Sequence, residues 1–208
     1  MGYEFAVLPP GVAATTDDVA AHIDSQRGQA EDPALTPIAA GVCDWNTAMP
    51  VWNAPATFEI VGDCLRVAVP DHAGWRMLAA LEELLADTAY LLYDAGDGTL
   101  GPVEMRRDVR VSLGGVRTFS TLTHRRLRNW LPRLAELASA PFLTVDKAGT
   151  DSFIQTYRNA PDDYRLEVRD DEHVGTTVRD PRTVADLIWA WSTDRWDGSA
   201  ELVWVPVV

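Results

Sequence analysis

Apolar and polar positions alternate most clearly late in the chain. In Tyr164-Arg-Leu-Glu-Val-Arg169, Tyr164, Leu166 and Val168 fall on one side, and Arg165, Glu167 and Arg169 on the other. A period of two predicts a strand with one buried and one wet face. Ser152–Arg158, with Phe153, Ile154 and Tyr157, has strand composition, and the turn residues Asn159-Ala-Pro-Asp-Asp163 join the two as a hairpin. A third strand follows over His173–Val178. Asp180-Pro181 then predicts a helix start, a capping side chain followed by a proline whose missing N–H is not needed there. Val184, Leu187, Ile188 and Trp191 form one helical stripe beyond it. Asp197-Gly198 closes that unit. Ala200–Val207 is apolar on both sides, which predicts a final strand that is central or covered.

The earlier half alternates between the same two periods. Gly2–Leu8 reads as a strand stopped by Pro9-Pro10-Gly11. Thr15-Thr16-Asp17-Asp18 starts a helix that turns Val19 and Ile23 inward. Residues 30–56 hold Pro33, Pro37, Pro50 and Pro55 with Trp45 and Trp52, and read as a functional loop or a short helix around Ile38. Thr57–Val61 and Cys64–Val69 are strands joined by the two-residue turn Gly62-Asp63. Asp71 is placed to cap a helix carrying Trp75, Leu78, Leu81 and Leu85, and Ala89–Tyr93 is a strand. Strand, helix, hairpin, helix, strand is the order of a ferredoxin-like split βαβ arrangement.

Residues 101–120 form a connector with a candidate strand at Val109–Leu113. Thr123 caps a helix with Leu127, Trp130, Leu131 and Leu134 on one side, and Pro132 inside it predicts a kink or two short helices. The fold expected is α+β. A ferredoxin-like domain over residues 1–104 precedes an α+β domain over 105–208, whose mainly antiparallel sheet is flanked by two helices.

Charge sharpens that division. Residues 1–100 hold 15 Asp/Glu against 3 Arg, a balance of −12, and residues 101–208 hold 16 Asp/Glu against 15 Lys/Arg, which completes the −13 of the chain. Such asymmetry suits solubility or a basic partner. Apolar runs are too short to span a bilayer, and the start of the chain lacks the pattern of a signal peptide. Cys43 and Cys64 do not form a disulfide framework, so a cytoplasmic setting with free thiols is expected. The excess of arginine over lysine, 17 to 1, points to a GC-rich genome.

Candidate chemistry is sparse. His22, His72, His124 and His173 are scattered, none at metal-ligand spacing from another His or Cys, so no metal or cofactor is expected. Cys43 lacks a neighbouring base. Asp94, Asp97 and Gly98 resemble only a fragment of a calcium loop and read more simply as an acidic turn. No phosphate-binding glycine loop or nucleophile elbow is present, which leans the reading away from an enzyme. Arg106, Arg107, Arg110, Arg117, Arg125, Arg126, Arg128 and Arg133 cluster around Trp130, but the acidic balance of the chain argues against nucleic acid. Pairing with acids of the first half is the better use for them. Trp45, Trp52, Trp189 and Trp196 lie off the core stripes. Trp45, Trp52, Asp44 and Trp196 are therefore the candidate partner-binding residues.

Tyr3-Glu-Phe-Ala-Val7, Leu91-Leu-Tyr-Asp94, Phe153-Ile-Gln155, Tyr164-Arg-Leu-Glu-Val-Arg-Asp170 and Leu202-Val-Trp204 are similar to segments of uncharacterised two-part α+β proteins of GC-rich bacteria. The last three of these segments, Phe153-Ile-Gln155, Tyr164–Asp170 and Leu202-Val-Trp204, also resemble parts of immunity proteins of polymorphic toxin systems. The resemblance implies inhibition by binding and carries over no catalytic residue. Two functions are therefore expected: a protein-interaction module, of the immunity type, for a basic toxin or similar protein; or a small-molecule-binding or enzymatic protein with a pocket between its halves.

Overall fold

The computed structural model describes residues 2–48, 55–136, 140–196 and 202–207. The protein is α+β with antiparallel sheets, and its chain divides into two compact units, Met1–Glu104 and Met105–Val208.

The first unit opens with β1 (Gly2–Leu8) and α1 (Thr16–Ser25). Thr15 caps α1 reciprocally with Asp18: the Asp18 N–H donates to Thr15 Oγ1 at 3.4 Å, and the Thr15 N–H to Asp18 Oδ2 at 2.8 Å. The Thr15 hydroxyl, donating to Asp18 Oδ2 at 2.8 Å, and then the Thr15 and Ala14 N–H groups hold the exposed Asp18 carboxyl below its ordinary pKa. A 3-10 turn, Pro33–Leu35, then runs into α2 (Thr36–Ala48). β2 (Thr57–Val61) and β3 (Cys64–Pro70) form a hairpin. A second 3-10 turn, Asp71–Ala73, leads to α3 (Gly74–Leu85), and β4 (Leu91–Asp94) and β5 (Thr99–Pro102) complete the unit. The sheet runs β2-β3-β1-β4-β5, antiparallel throughout, so β1 and β2 are parallel with β3 between them.

Alternation along β1 makes two cores. Phe5 and Val7 point to one face, where they meet Leu35, Ile38 and Val42 before and on α2 and Met77, Leu78 and Leu81 on α3. Ala6 and Leu8 point to the other and meet Val19 and Ile23 of α1 with the buried Cys64. Of the two readings of residues 30–56, a loop or a short helix around Ile38, the helix holds over its described part: α2 contains Ile38, runs longer than expected and is a core element. Pro33 and Pro37 lie at the starts of helical segments, where no N–H is required, and Asp32 caps the first by accepting from the Ala34 N–H at 2.9 Å. Gly41 permits the contact between α2 and α3: a Cβ there would lie 2.5 Å from Leu84 Cδ2. Asp71 is not the cap of α3. The helix begins at Gly74, and its N-cap, Ala73, makes no side-chain capping bond.

The second unit is built on a seven-stranded sheet. Its early elements are β6 (Met105–Arg106), β7 (Val109–Leu113), β8 (Arg117–Phe119), β9 (Leu122–Thr123) and α4 (His124–Trp130). Thr123 Oγ1 accepts from the Arg126 N–H at 3.1 Å and caps α4. The helix ends before Pro132 and tightens into a 3-10 segment, Leu131–Glu136. β10 (Phe142–Lys147), β11 (Phe153–Ala160), β12 (Asp163–Arg169), β13 (His173–Val178), α5 (Pro181–Ser192) and β14 (Val205–Pro206) follow. Asp180 caps α5, accepting from the Arg182 and Thr183 N–H groups at 3.2 and 3.0 Å.

The sheet order is β14-β13-β12-β11-β10-β7-β8, and β6 and β9 form a separate pair. Val111, Leu143, Val145, Ile154, Tyr164, Leu166 and Val168 point to one face and pack under Leu127, Leu131, Leu134, Val184, Ile188 and Trp191. The expected final strand is corrected. Among the described residues only Val205 and Pro206 pair, and they do so at the sheet edge beside β13. Leu202 and Trp204 pack half-buried against the core, so their apolar character serves the core from the side of the sheet.

Candidate functional site

The residues singled out from the sequence divide between the units. Trp45 and Asp44 stand on α2 rather than on a loop: Trp45 is half-buried against the first core, and Asp44 is exposed. Trp52 lies outside the described residues. Trp196 is half-buried in the second unit, its ring 5.5 Å from that of Trp204 and edge-on to it. Trp189 is buried, stacked 5.8 Å from His124.

Both cysteines are free. Cys43 is exposed on α2, and Cys64 is fully buried at the start of β3. Burial, reinforced by the thiol's hydrogen bond to the Asp63 carboxylate, pushes Cys64 up to about 12. We expect a thiol reagent at pH 8 to label one cysteine per native, chelator-treated chain and two per unfolded chain. Rapid double labelling of the native protein would contradict this assignment.

The acidic turn is also settled by geometry. Asp94 Oδ1 accepts from the Gly96 N–H at 2.9 Å, and Asp97 Oδ1 from the Thr99 N–H at 3.0 Å. Both carboxylates shape the β4–β5 turn. The arginines of the cluster with described ion pairs use acids of their own unit: Arg106 meets Asp108 and Asp194 at 2.7 and 3.6 Å, and Arg128 meets Asp186 at 3.1 Å. Arg126 is buried and donates to Thr121 Oγ1 at 2.8 Å.

A surface not singled out from the sequence is the second face of the seven-stranded sheet. Among the described residues of this unit, no helix packs on it. Strand alternation and register bring Phe142, Phe153, Gln155, Tyr157, Arg165, Glu167 and His173 to that face. Tyr157 is 45% exposed. Gln155 Nε2 donates to Glu167 Oε2 at 2.7 Å, Arg165 Nε donates to Glu167 Oε1, and His173 Nε2 lies 3.4 Å from Glu167 Oε2. Phe153 meets the His173 ring edge-on at 5.5 Å. Burial works to raise the Glu167 pKa. The bonds from Gln155 and Arg165, with the charges of Arg165 and His173, outweigh it and hold the carboxyl below its ordinary value. Glu167 is therefore an ionised hub that fixes the side chains around it across the neutral range.

Beside this network lies a depression of about 230 Å³ lined by Phe142, Gln155, Thr156, Tyr157, Arg165 and Glu167. It combines aromatic walls with a fixed charged rim. A depression of that size and lining can accept one apolar or aromatic group. The signal in the sequence was the spacing of Phe153 and Tyr157: they share a strand face opposite Ile154, so both cannot serve the helix-covered core. No protein-family model, curated protein or solved structure matches the chain.

Proposed function

We propose that the chain is a protein-interaction module, an inhibitor of the immunity type that binds a basic protein. The observation that carries this reading is the helix-free sheet face, where aromatic residues surround the ordered Gln155–Glu167–Arg165 network. Aromatic anchors in a rigid, polar-rimmed surface supply affinity. The first unit supplies long-range attraction: residues 1–104 hold 16 Asp/Glu against 3 Arg, while residues 105–208 hold 15 of each sign. An acidic field of that size speeds encounter with a basic partner more than it tightens the final complex. Asp44, exposed on α2, contributes to that field, and Trp45 beside it offers a second, weaker contact. We also read the first unit as an elaborated ferredoxin-like split βαβ. The order β2-β3-β1-β4 and the packing of α2 and α3 on one face support it, with α1 and β5 as additions.

The test is retention of a basic protein from a lysate of the native host on the tagged full chain, compared with Phe153→Ala/Tyr157→Ala. We expect stoichiometric retention by the parent chain. The double variant should lose about 2 kcal/mol or more of affinity if both are anchors. Added salt should slow association more than it speeds dissociation. Undiminished retention by the double variant would refute the sheet face as the binding surface. A retained partner of net negative charge would refute the steering role of the first unit.

A further inference from the structure

Residues that no spacing in the sequence connects meet at the β2–β3 turn. His22 Nε2 lies 2.9 Å from Asp63 Oδ1, and the Cys64 thiol lies 3.2 Å from the same oxygen. One nitrogen, one oxygen and one sulfur donor thus fall within 4.8 Å of one another. Their order rules out a thiol-protease reading. There the imidazole takes the thiol proton, whereas here the carboxylate stands between the two.

We propose that His22, Asp63 and Cys64 form a binding site for a divalent transition metal ion of the zinc class, with a fourth position open to water. The donor set selects the metal. Thiolate and imidazole disfavour calcium and magnesium, which take oxygen, and suit zinc, to which a carboxylate adds readily. The spacing suits it as well. Metal–ligand bonds of about 2.0–2.3 Å place the donors of a tetrahedral site about 3.3–3.7 Å apart. The two short separations open by a few tenths of an ångström, and the His22–Cys64 separation, within 4.8 Å, closes to the same range as the side chains turn toward the ion. On binding, the thiol gives up its proton to solvent, and the imidazole presents the Nε2 lone pair while carrying its proton on Nδ1. Asp63 turns from hydrogen-bond acceptor to ligand.

The backbone positions are set without the ion. α1 is fixed by its reciprocal cap and by Val19 and Ile23 in the core, which aims His22, one turn beyond Val19, at the hairpin. The two-residue turn is fixed by register, Val61 opposite Cys64, and by Gly62 at φ 58°. Gln26 presses on that turn closely enough that a Cβ on Gly62 would lie 2.5 Å from its Oε1. The Gly62 carbonyl accepts the Asp32 N–H at 2.8 Å, and Tyr90 Oη lies 3.4 Å from Asp32 Oδ2. Cys64 is closed to solvent, while the His22 and Asp63 side chains are 15% and 31% exposed, so an ion enters from their side and keeps its water there.

The test is titration of the chelator-treated full chain with Co²⁺, followed by displacement with Zn²⁺. We expect one equivalent to produce a thiolate-to-cobalt charge-transfer band and intense tetrahedral ligand-field bands, both erased by Zn²⁺. Cys64→Ser should abolish the charge-transfer band. His22→Gln should weaken binding at least 10-fold, and Cys43→Ser should change nothing. His22→Gln removes no buried apolar group, so its circular dichroism spectrum should match the parent's and keep the comparison valid if Cys64→Ser folds poorly. Absence of the band in the parent chain, its survival in Cys64→Ser, or unchanged affinity in His22→Gln would each overturn the assignment.

Discussion

Replacing Trp191 by alanine should destabilise the second unit by about 3–5 kcal/mol, a large share of the 5–15 kcal/mol that holds a typical domain. Trp191 is fully buried under the seven-stranded sheet. Its Nε1 donates to Asp170 Oδ2 at 3.0 Å, and Lys147 Nζ sits 4.5 Å from the ring centroid while also pairing with Asp194 at 2.8 Å. One side chain therefore ties α5 to β10 and to the β12–β13 turn. Alanine leaves a cavity too large for the sheet and helices to close, which is why truncation costs more than the lost transfer energy alone. Trp191→Phe keeps most of the volume and removes the indole donor. It should cost less, the donor alone accounting for about 1 kcal/mol. Urea unfolding combined with hydrogen exchange of the β10–β13 amides measures both. A loss below 1 kcal/mol in the alanine variant would mean that the tryptophan does not organise this core.

Leu35→Ala should cost about 2–5 kcal/mol. The residue lies in the proline-bearing segment whose composition suggests a loop, and an exposed loop leucine would cost a few tenths of a kcal/mol at most. It is instead fully buried, at the entry to α2, against the core formed by β1, β3 and α3. Ala34→Gly, at an exposed position in the same turn, provides the comparison. Chemical denaturation of the two variants separates the readings, and equal, small effects would restore the loop.

These two positions show what the sequence carried and what it hid. Alternation in Tyr164–Arg169 and the Asp180-Pro181 start were legible because each is local: side-chain direction in a strand and the unsatisfied donors of a helix end depend on immediate neighbours. Pro132 likewise marked the passage from α4 into a tighter helix. Segment 30–48 stayed open between a loop and a short helix because proline has two meanings. It breaks a helix interior but is at ease in a first turn, and only the packing of Leu35, Ile38 and Val42 shows which applies. Ala200–Val207 was misread because an apolar run says that surface must be covered, not that its backbone must pair. The candidate sites were the least legible. Tyr157 meets Phe142, and Phe153 meets His173, only through strand pairing, and His22 meets Asp63 and Cys64 only after α1 has packed across the sheet.

The two outermost strands of the large sheet have a further consequence. At one side stands β14, two residues long, where Pro206 has no N–H to offer. At the other stands β8, three residues long and beginning with the exposed Arg117. Neither presents the long, flat row of donors and acceptors on which a further strand could grow. The sheet is thus guarded against edge-to-edge aggregation at high concentration. With Tyr157 exposed and Phe142 and Phe153 half-buried on one face of the sheet, closed borders matter more, since sticky faces and sticky edges together would favour stacking into fibres.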